Sequence, residues 1–288
     1  MRYGIAFAGG GARGAAHVGV LLALTEAGLI PSSVAGTSAG SLIAGLYAAG
    51  VSPARQKQVL LSMSRNGREF IDPDLKGLFR ALFQLLTLRP VSVKGLIKGD
   101  RLEQFLCSLT GGKAMHDLTM RTVIPAVNVR TGETIAYTNT LAGVRPVPHV
   151  RWTTEMPLCR AMRASAAVPA VFRPVMQEDM CLVDGGLTDN LPVSLLLAAG
   201  ERNVLAVDVS EEYEPPKTEN IIEIASHSLT IVTSRLKERV ARGEKLLLHP
   251  RLPEEAGLLT LGAMAECMEA GYREVQSQLP LIRAVLEL

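Results

Sequence analysis

The stretch "SSVAGTSAGSLIAGLYAAG", Ser32 to Gly50, decides how this chain is read. Its first half is a short apolar run that fits a buried strand. Its second half has helical spacing and ends on Gly50, a suitable C-cap. Between them lies "GTSAG", Gly36 to Gly40, a G-x-S-x-G pattern at a strand-to-helix turn. Such a turn is sharp and strains the serine backbone, so small residues must flank it. Gly36, Thr37, Ala39 and Gly40 meet that need. Ser38 is therefore the candidate nucleophile, and the N–H of Ala39 is a candidate oxyanion donor.

The preceding segment repeats the arrangement. "YGIAFA", Tyr3 to Ala8, reads as a buried strand, and "ARGAAHVGVLLALTEAG", closing on Gly28, as a helix. Strand, helix, strand, helix at this spacing implies a parallel sheet with crossovers. The joining loop, Gly9, Gly10, Gly11, Ala12, Arg13 and Gly14, satisfies G-x-G-x-x-G. Taken alone, it has several readings. A dinucleotide fold wants an acidic residue after the second strand, and "SSVAGTS" supplies none. A P-loop wants G-K-[ST], where this chain has Arg13-Gly14-Ala15. The loop could also be an oxyanion hole at a helix N-terminus, or a tight turn with no ligand. If the two glycine turns follow adjacent parallel strands, both lie at the carboxyl edge of the sheet, and the loop stands beside Ser38.

Ser38 needs a base. "CLVDGGLTDNLPV", Cys181 to Val193, delivers Asp184 from a strand, and Gly185 and Gly186 allow another backbone to approach. The plainer reading of both Asp184 and Asp189 is a turn or cap residue. Of the five histidines, His17 lies within the first helix and reads as structural. His116 and His149 sit in irregular segments. His227 and His249 follow the serine and an acid in the order of an α/β-hydrolase triad, which keeps an esterase of that type open.

Composition bounds the rest. The 288 residues are 48% hydrophobic, 20% charged and 4% aromatic, with 26 glycines, as suits close-packed α/β layers. A net charge of +2 gives no support for nucleic-acid binding. Cys107, Cys159, Cys181 and Cys267 are far apart and form no C-x-x-C, so they read as reduced thiols, with neither disulfide nor zinc. No cofactor or metal is expected. The first apolar run breaks at Gly9 and meets Arg13, against a signal peptide, and no apolar run reaches the ~20 residues of a membrane span. The expected setting is cytoplasmic. "LKGLFRALFQLLTLRP", Leu75 to Pro90, has apolar residues at helical spacing, and 75–98 carries basic residues but no acidic ones. It is either a helix packed on the core with a basic outer face or an interfacial helix on an anionic membrane.

Further strands are expected at Thr122–Val129, Thr134–Thr138, Ala170–Val175, Cys181–Gly186, Asn203–Ser210 and Lys245–Pro250. Helices are expected near Leu158–Ala166, Leu191–Gly200, Ile221–Arg242 and Leu261–Leu288. Residues 51–120 look mainly helical, and 211–220 is a linker candidate, charged and with two prolines. The chain reads as one domain, with a motif-bearing core at about 4–210 and a mainly helical extension at about 218–288.

Together these motifs resemble the patatin-like phospholipase family. "GGGARG" (9–14) resembles its glycine-rich motif, "GTSAG" (36–40) its nucleophile motif and "DGG" (184–186) its aspartate motif. "ASAAVPAVFRPV" (164–175) is similar to the block before the aspartate, and "GLIKGDRLEQFL" (95–106) resembles the compact bacterial members. The resemblance implies a three-layer α/β/α fold with a mainly parallel sheet. It implies a Ser38–Asp184 dyad without histidine, an oxyanion hole at Gly10 and Gly11, and hydrolysis of lipid acyl esters. A non-catalytic lipid-binding protein that keeps the fold is the remaining alternative.

Overall fold

The computed structural model describes residues 2–67, 72–77, 94–210, 243–257 and 259–287, and the single positions 84, 87, 224, 228, 231, 232 and 235. Two short buried runs, β1 (Gly4–Phe7) and β2 (Ser33–Gly36), pair in parallel. Among the described residues they are the centre of a nine-stranded sheet whose main path is β5-β4-β3-β2-β1-β8-β9. The other strands are β3 (Arg121–Asn128), β4 (Glu133–Thr138), β5 (Val150–Thr153), β6 (Val175–Gln177), β7 (Met180–Asp184), β8 (Val204–Val207) and β9 (Leu246–Leu248). β3, β2, β1, β8 and β9 run parallel to one another, and β4 runs parallel to β5. Antiparallel pairs occur where β3 meets β4 and β7, and where β6 meets β7.

One edge of β3 carries two partners. Its first residues pair with β2, Ala35 opposite Val123, and its last with β7, Ala126 opposite Asp184. β2 and β7 thus approach each other head-on along the same strand. Continuing the β2 register by three residues brings Ser38 level with Ala126, and so with Asp184.

Among the described residues the helices are α1 (Ala16–Glu26), α2 (Ala39–Ala48), α3 (Pro53–Asn66), α4 (Asp100–Thr110), α5 (Leu158–Ser165), α6 (Val193–Ala198) and α7 (Met264–Val285). They cover both faces of the sheet. Phe7 of β1 meets His17 of α1, while a Cβ on Gly4, pointing the other way, would press on Leu196 of α6. α1 and α7 cross at near backbone contact. A Cβ on Gly19 would collide with the carbonyl of Met268, and one on Gly271 with that of Ala16. Any larger residue there would force the helices apart.

Several sequence expectations are corrected. Cys107 of α4 and Cys159 of α5 form a disulfide across 52 residues; only Cys181 and Cys267 are free thiols. Distance along the sequence misled here, because α4 and α5 pack side by side and bring the two Cα atoms to 4.9 Å. The expected strand at Ala170–Val175 begins only at Val175, since Pro169 and Pro174 remove ladder donors. The helix after the glycine loop opens as a 3-10 turn, Gly11–Ala15. β5, partly exposed at the sheet edge, has too little alternation to be read. The linker at 211–220, most of the helix at 221–242 and most of 75–93 lie outside the described residues. Among described residues no helix is long and apolar enough to cross a membrane.

His17 shows how tightly the sheet edge is built. It is fully buried, its ring centroid 4.8 Å from that of Phe7 and its Nε2 2.8 Å from the Ala8 carbonyl. A carbonyl only accepts, so Nε2 carries the proton and donates. Burial pushes the pKa down to about 4, against the pull of the Ala8 carbonyl and of Asp208. An unfolded chain takes up a proton below about pH 6.5, whereas native His17 does so only near 4. The stability this group contributes is therefore complete above pH 6.5 and lost as pH falls towards 4. We predict that His17→Gln, which keeps a donor but does not titrate, removes about 2 kcal/mol of destabilisation between pH 7 and pH 5. Urea unfolding of both proteins across that range measures the difference; parallel curves would refute it.

Candidate active site

Ser38 sits where β2 turns into α2. Its backbone is at φ 52°, ψ −124°, a left-handed conformation that non-glycine residues rarely adopt. The two flanking glycines make the turn possible. A Cβ on Gly36 would collide with the carbonyl of Gly40, and one on Gly40 would lie 2.5 Å from the Phe7 carbonyl and 2.7 Å from that of Ala8. Hydrogen bonds then hold the strain from three sides. The Ser38 N–H donates to Ser165 Oγ at 3.1 Å, and the Ser38 carbonyl accepts from Ser41 Oγ at 2.6 Å. Thr37 Oγ1 donates to the Asp189 carbonyl at 2.8 Å. Ser38 is buried, with 7% of its surface exposed.

Asp184 ends β7 and is buried. The N–H of Gly186 donates to its Oδ1 at 2.8 Å, and its own N–H donates to the Ala167 carbonyl at 3.0 Å. Gly185, buried behind it, accepts from the N–H groups of Thr188 and Asp189 and closes the turn. Oδ2 is buried with no hydrogen-bond partner. Loss of solvent pushes the Asp184 carboxyl up to about 6, opposed by the Ser38 hydroxyl and the Gly186 N–H. The Ser38 hydroxyl thus acts on this carboxylate without closing a hydrogen bond to it.

The glycine loop borders the same space. A Cβ on Gly9 would stand 3.0 Å from Ser38 Cβ, and one on Gly14 would stand 2.6 Å from Ala39 Cβ. The Gly9 N–H donates to the Asn190 carbonyl at 3.0 Å. Arg13 Nε donates to the Gly10 carbonyl at 3.2 Å, bracing the loop, and Ala12 is buried beneath it. The N–H groups of Gly10, Gly11 and Ala39 find no acceptor among the described residues. Three main-chain donors therefore remain open beside the elbow and at helix N-termini, where the peptide dipoles favour negative charge.

The described histidines lie elsewhere. His249 follows β9, three strands from β2 and hence roughly 14 Å away along the sheet. It pairs instead with Asp208, Nδ1 to Oδ2 3.8 Å. That distance removes it as a base for Ser38. His227 lies outside the described residues. His116 is exposed beside Asp117, and His149 adopts a left-handed turn before β5. Asp189 is a clamp, buried, pushed up to about 7 by burial and accepting from Ser194 Oγ at 3.1 Å. Sequence reasoning missed the part played by Ser165. The only available signal was a serine among small residues at the end of a helix. No group of three or more His, Cys, Asp or Glu side chains able to hold a metal occurs among the described residues.

Comparison with known proteins gives relatives that match most of the chain. Lysophospholipase NTE1 of Mycosarcoma maydis is 28% identical over 95% of this chain and 14% of its own length. Human patatin-like phospholipase domain-containing protein 6 is 30% identical over 72% of the chain and 13% of its own length. An uncharacterized NTE family protein of Mycobacterium tuberculosis is 29% identical over 74% of the chain and 31% of its own. The chain thus spans a third or less of these relatives. Human GIVD cytosolic phospholipase A2, solved with methyl gamma-linolenyl fluorophosphonate, superposes with a TM-score of 0.50 at 16% identity, covering 99% of this chain and 58% of the other. At that identity the likeness concerns the fold. The family model described as patatin-like phospholipase matches residues 5–197, which hold the glycine loop, the elbow and the Asp184 turn, and the chain belongs to that family.

Proposed function

We propose that this protein hydrolyses carboxylic esters of lipids through a Ser38–Asp184 dyad and an acyl-enzyme. The observation that carries the reading is the meeting of three features in one place. They are a nucleophile on a strained turn, a buried carboxylate with one open oxygen, and main-chain N–H groups without acceptors. Ser38 Oγ attacks the ester carbonyl while Asp184 takes the hydroxyl proton. The N–H groups of Gly10 and Gly11, with Ala39 beside them, hold the negative charge that forms on the carbonyl oxygen. Collapse of that intermediate expels the alcohol, which leaves with the proton from Asp184. Water then attacks the acyl-enzyme, Asp184 again taking the proton, and the carboxylic acid departs as Ser38 regains its hydrogen.

A carboxylate is ordinarily too weak a base for a serine hydroxyl. Two features narrow the gap. Burial raises Asp184 to about 6, and preorganised donors stabilise the charge that develops. The name lysophospholipase on one relative and phospholipase on others supports lipid esters as the substrate class. Contact with an anionic membrane through 75–98 belongs to this reading as well. It rests on sequence pattern, with Leu75 exposed at its start.

We expect Ser38→Ala and Asp184→Asn each to lower p-nitrophenyl ester hydrolysis by at least about 10³-fold. Ser38→Ala also abolishes fluorophosphonate labelling, and full activity in either variant would sink the dyad. The base must be ionised, so kcat/KM is predicted to rise with pH through about 6 and level off above it. A limb near pH 4 would mean that Asp184 titrates as an ordinary carboxylate. Ser165→Ala leaves the Ser38 N–H buried without an acceptor, a loss of about 1–3 kcal/mol in unfolding free energy. Chemical denaturation reads that loss directly.

A further inference from the structure

Asn190 lies outside the mechanism just described, yet it touches both loops that form the site. Its carbonyl accepts the Gly9 N–H, and the preceding carbonyl, of Asp189, accepts Thr37 Oγ1. The side chain goes further. A Cβ on Gly9 would collide with Asn190 Oδ1, and that same point is 3.0 Å from Ser38 Cβ. A Cβ on Gly186 would stand 2.9 Å from Asn190 Oδ1 and 3.1 Å from Asp184 Oδ1. The carboxamide is therefore lodged between the glycine loop and the Asp184 turn, within reach of Ser38. It is only partly buried, and it makes no hydrogen bond with any described residue. Its Oδ1 is the atom that faces both loops, and since no hydrogen bond fixes the amide, a half-turn about its terminal torsion brings the two N–H donors to the same place, where a substrate atom is their natural partner.

We propose that Asn190 is a substrate-contacting residue whose carboxamide donates a hydrogen bond to the reacting ester. This side-chain donor supplements the main-chain N–H groups of Gly10 and Gly11. Its place beside Asp184 puts it on the side from which the proton is moved. A neutral donor suits that place. A carboxylate at 190 would repel the ionised base and an ammonium would pair with it, whereas an amide can bond the ester and leave Asp184 free to titrate. The inference rests on the Ser38–Asp184 reading.

The test compares Asn190→Ala, Asn190→Asp and Ser38→Ala with the wild type. Initial rates on a p-nitrophenyl ester are normalised to the fraction of Ser38 that a fluorophosphonate titrates. Asn190→Ala is expected to lose roughly 10- to 100-fold in kcat per titrated site. Asn190→Asp, the same shape without donors, is expected to lose at least as much. It should also move the acid limb of kcat/KM upward by about one pH unit, since a like charge now faces Asp184. A wild-type rate per site in Asn190→Ala overturns the proposal, and so does an isosteric Asn190→Asp that keeps both rate and pH limb. Ser38→Ala separates the two claims. If it is inactive while Asn190→Ala is unimpaired, only the role of Asn190 fails; if it is active, the dyad fails and this inference with it.

Discussion

The structure depends on the hydrogen-bond ladder along one edge of β3. That edge accepts β2 at its start and β7 at its end, from opposite directions. Two strands meeting head-on along a common partner cannot both continue, so each must turn out of the sheet at the junction. β2 leaves by the sharp turn at Ser38, and β7 leaves by the Asp184–Gly186 turn. Ser38 and Asp184 are thus brought together by main-chain pairing along β3. A one-residue slip of β7 on β3 would send Asp184 to the opposite face, because side chains alternate along a strand.

The electrostatics of the site follow from what the backbone leaves unpaired. Turns at sheet edges and helix N-termini release N–H groups that have no intrahelical acceptor. Here the loop after β1 and the start of α2 release theirs towards the same small space. One carboxylate oxygen is fixed by a backbone N–H and the other is buried without a partner. Folding thus leaves a buried acid with one unpartnered oxygen, a costly state. The surrounding clamps hold it: Ser165 on the Ser38 N–H, Asp189 on Thr37, and His17 on the Ala8 carbonyl.

Much of this was legible in the amino-acid sequence, for identifiable reasons. Gly36, Ser38 and Gly40 announce their turn because only small residues fit where a carbonyl of β1 presses on the helix start. β1, β2 and β8 are buried on both faces and so read as continuous apolar runs. The family resemblance followed from the same residues. What stayed hidden is relational. The Cys107–Cys159 bridge depends on how α4 packs against α5, and no spacing encodes that. Ser165 looks like any helix-ending serine until the Ser38 N–H is placed against it. His249 fits a triad in chain order and fails only because two strands intervene between its own strand and that of the serine.

The crossing of α1 with α7 bears on how the protein comes into being. α1 carries the glycine loop at its start, and its glycine seam is covered by a helix that follows about 250 residues later in the chain. β1, at the centre of the sheet, likewise waits for β8 as one of its two neighbours. During synthesis the loop, the elbow and the Asp184 turn all leave the ribosome before the element that seats them. Contacts this distant in sequence form slowly. A nascent chain would then hold every residue of the site and still lack its geometry, with assembly of the site deferred until α7 docks.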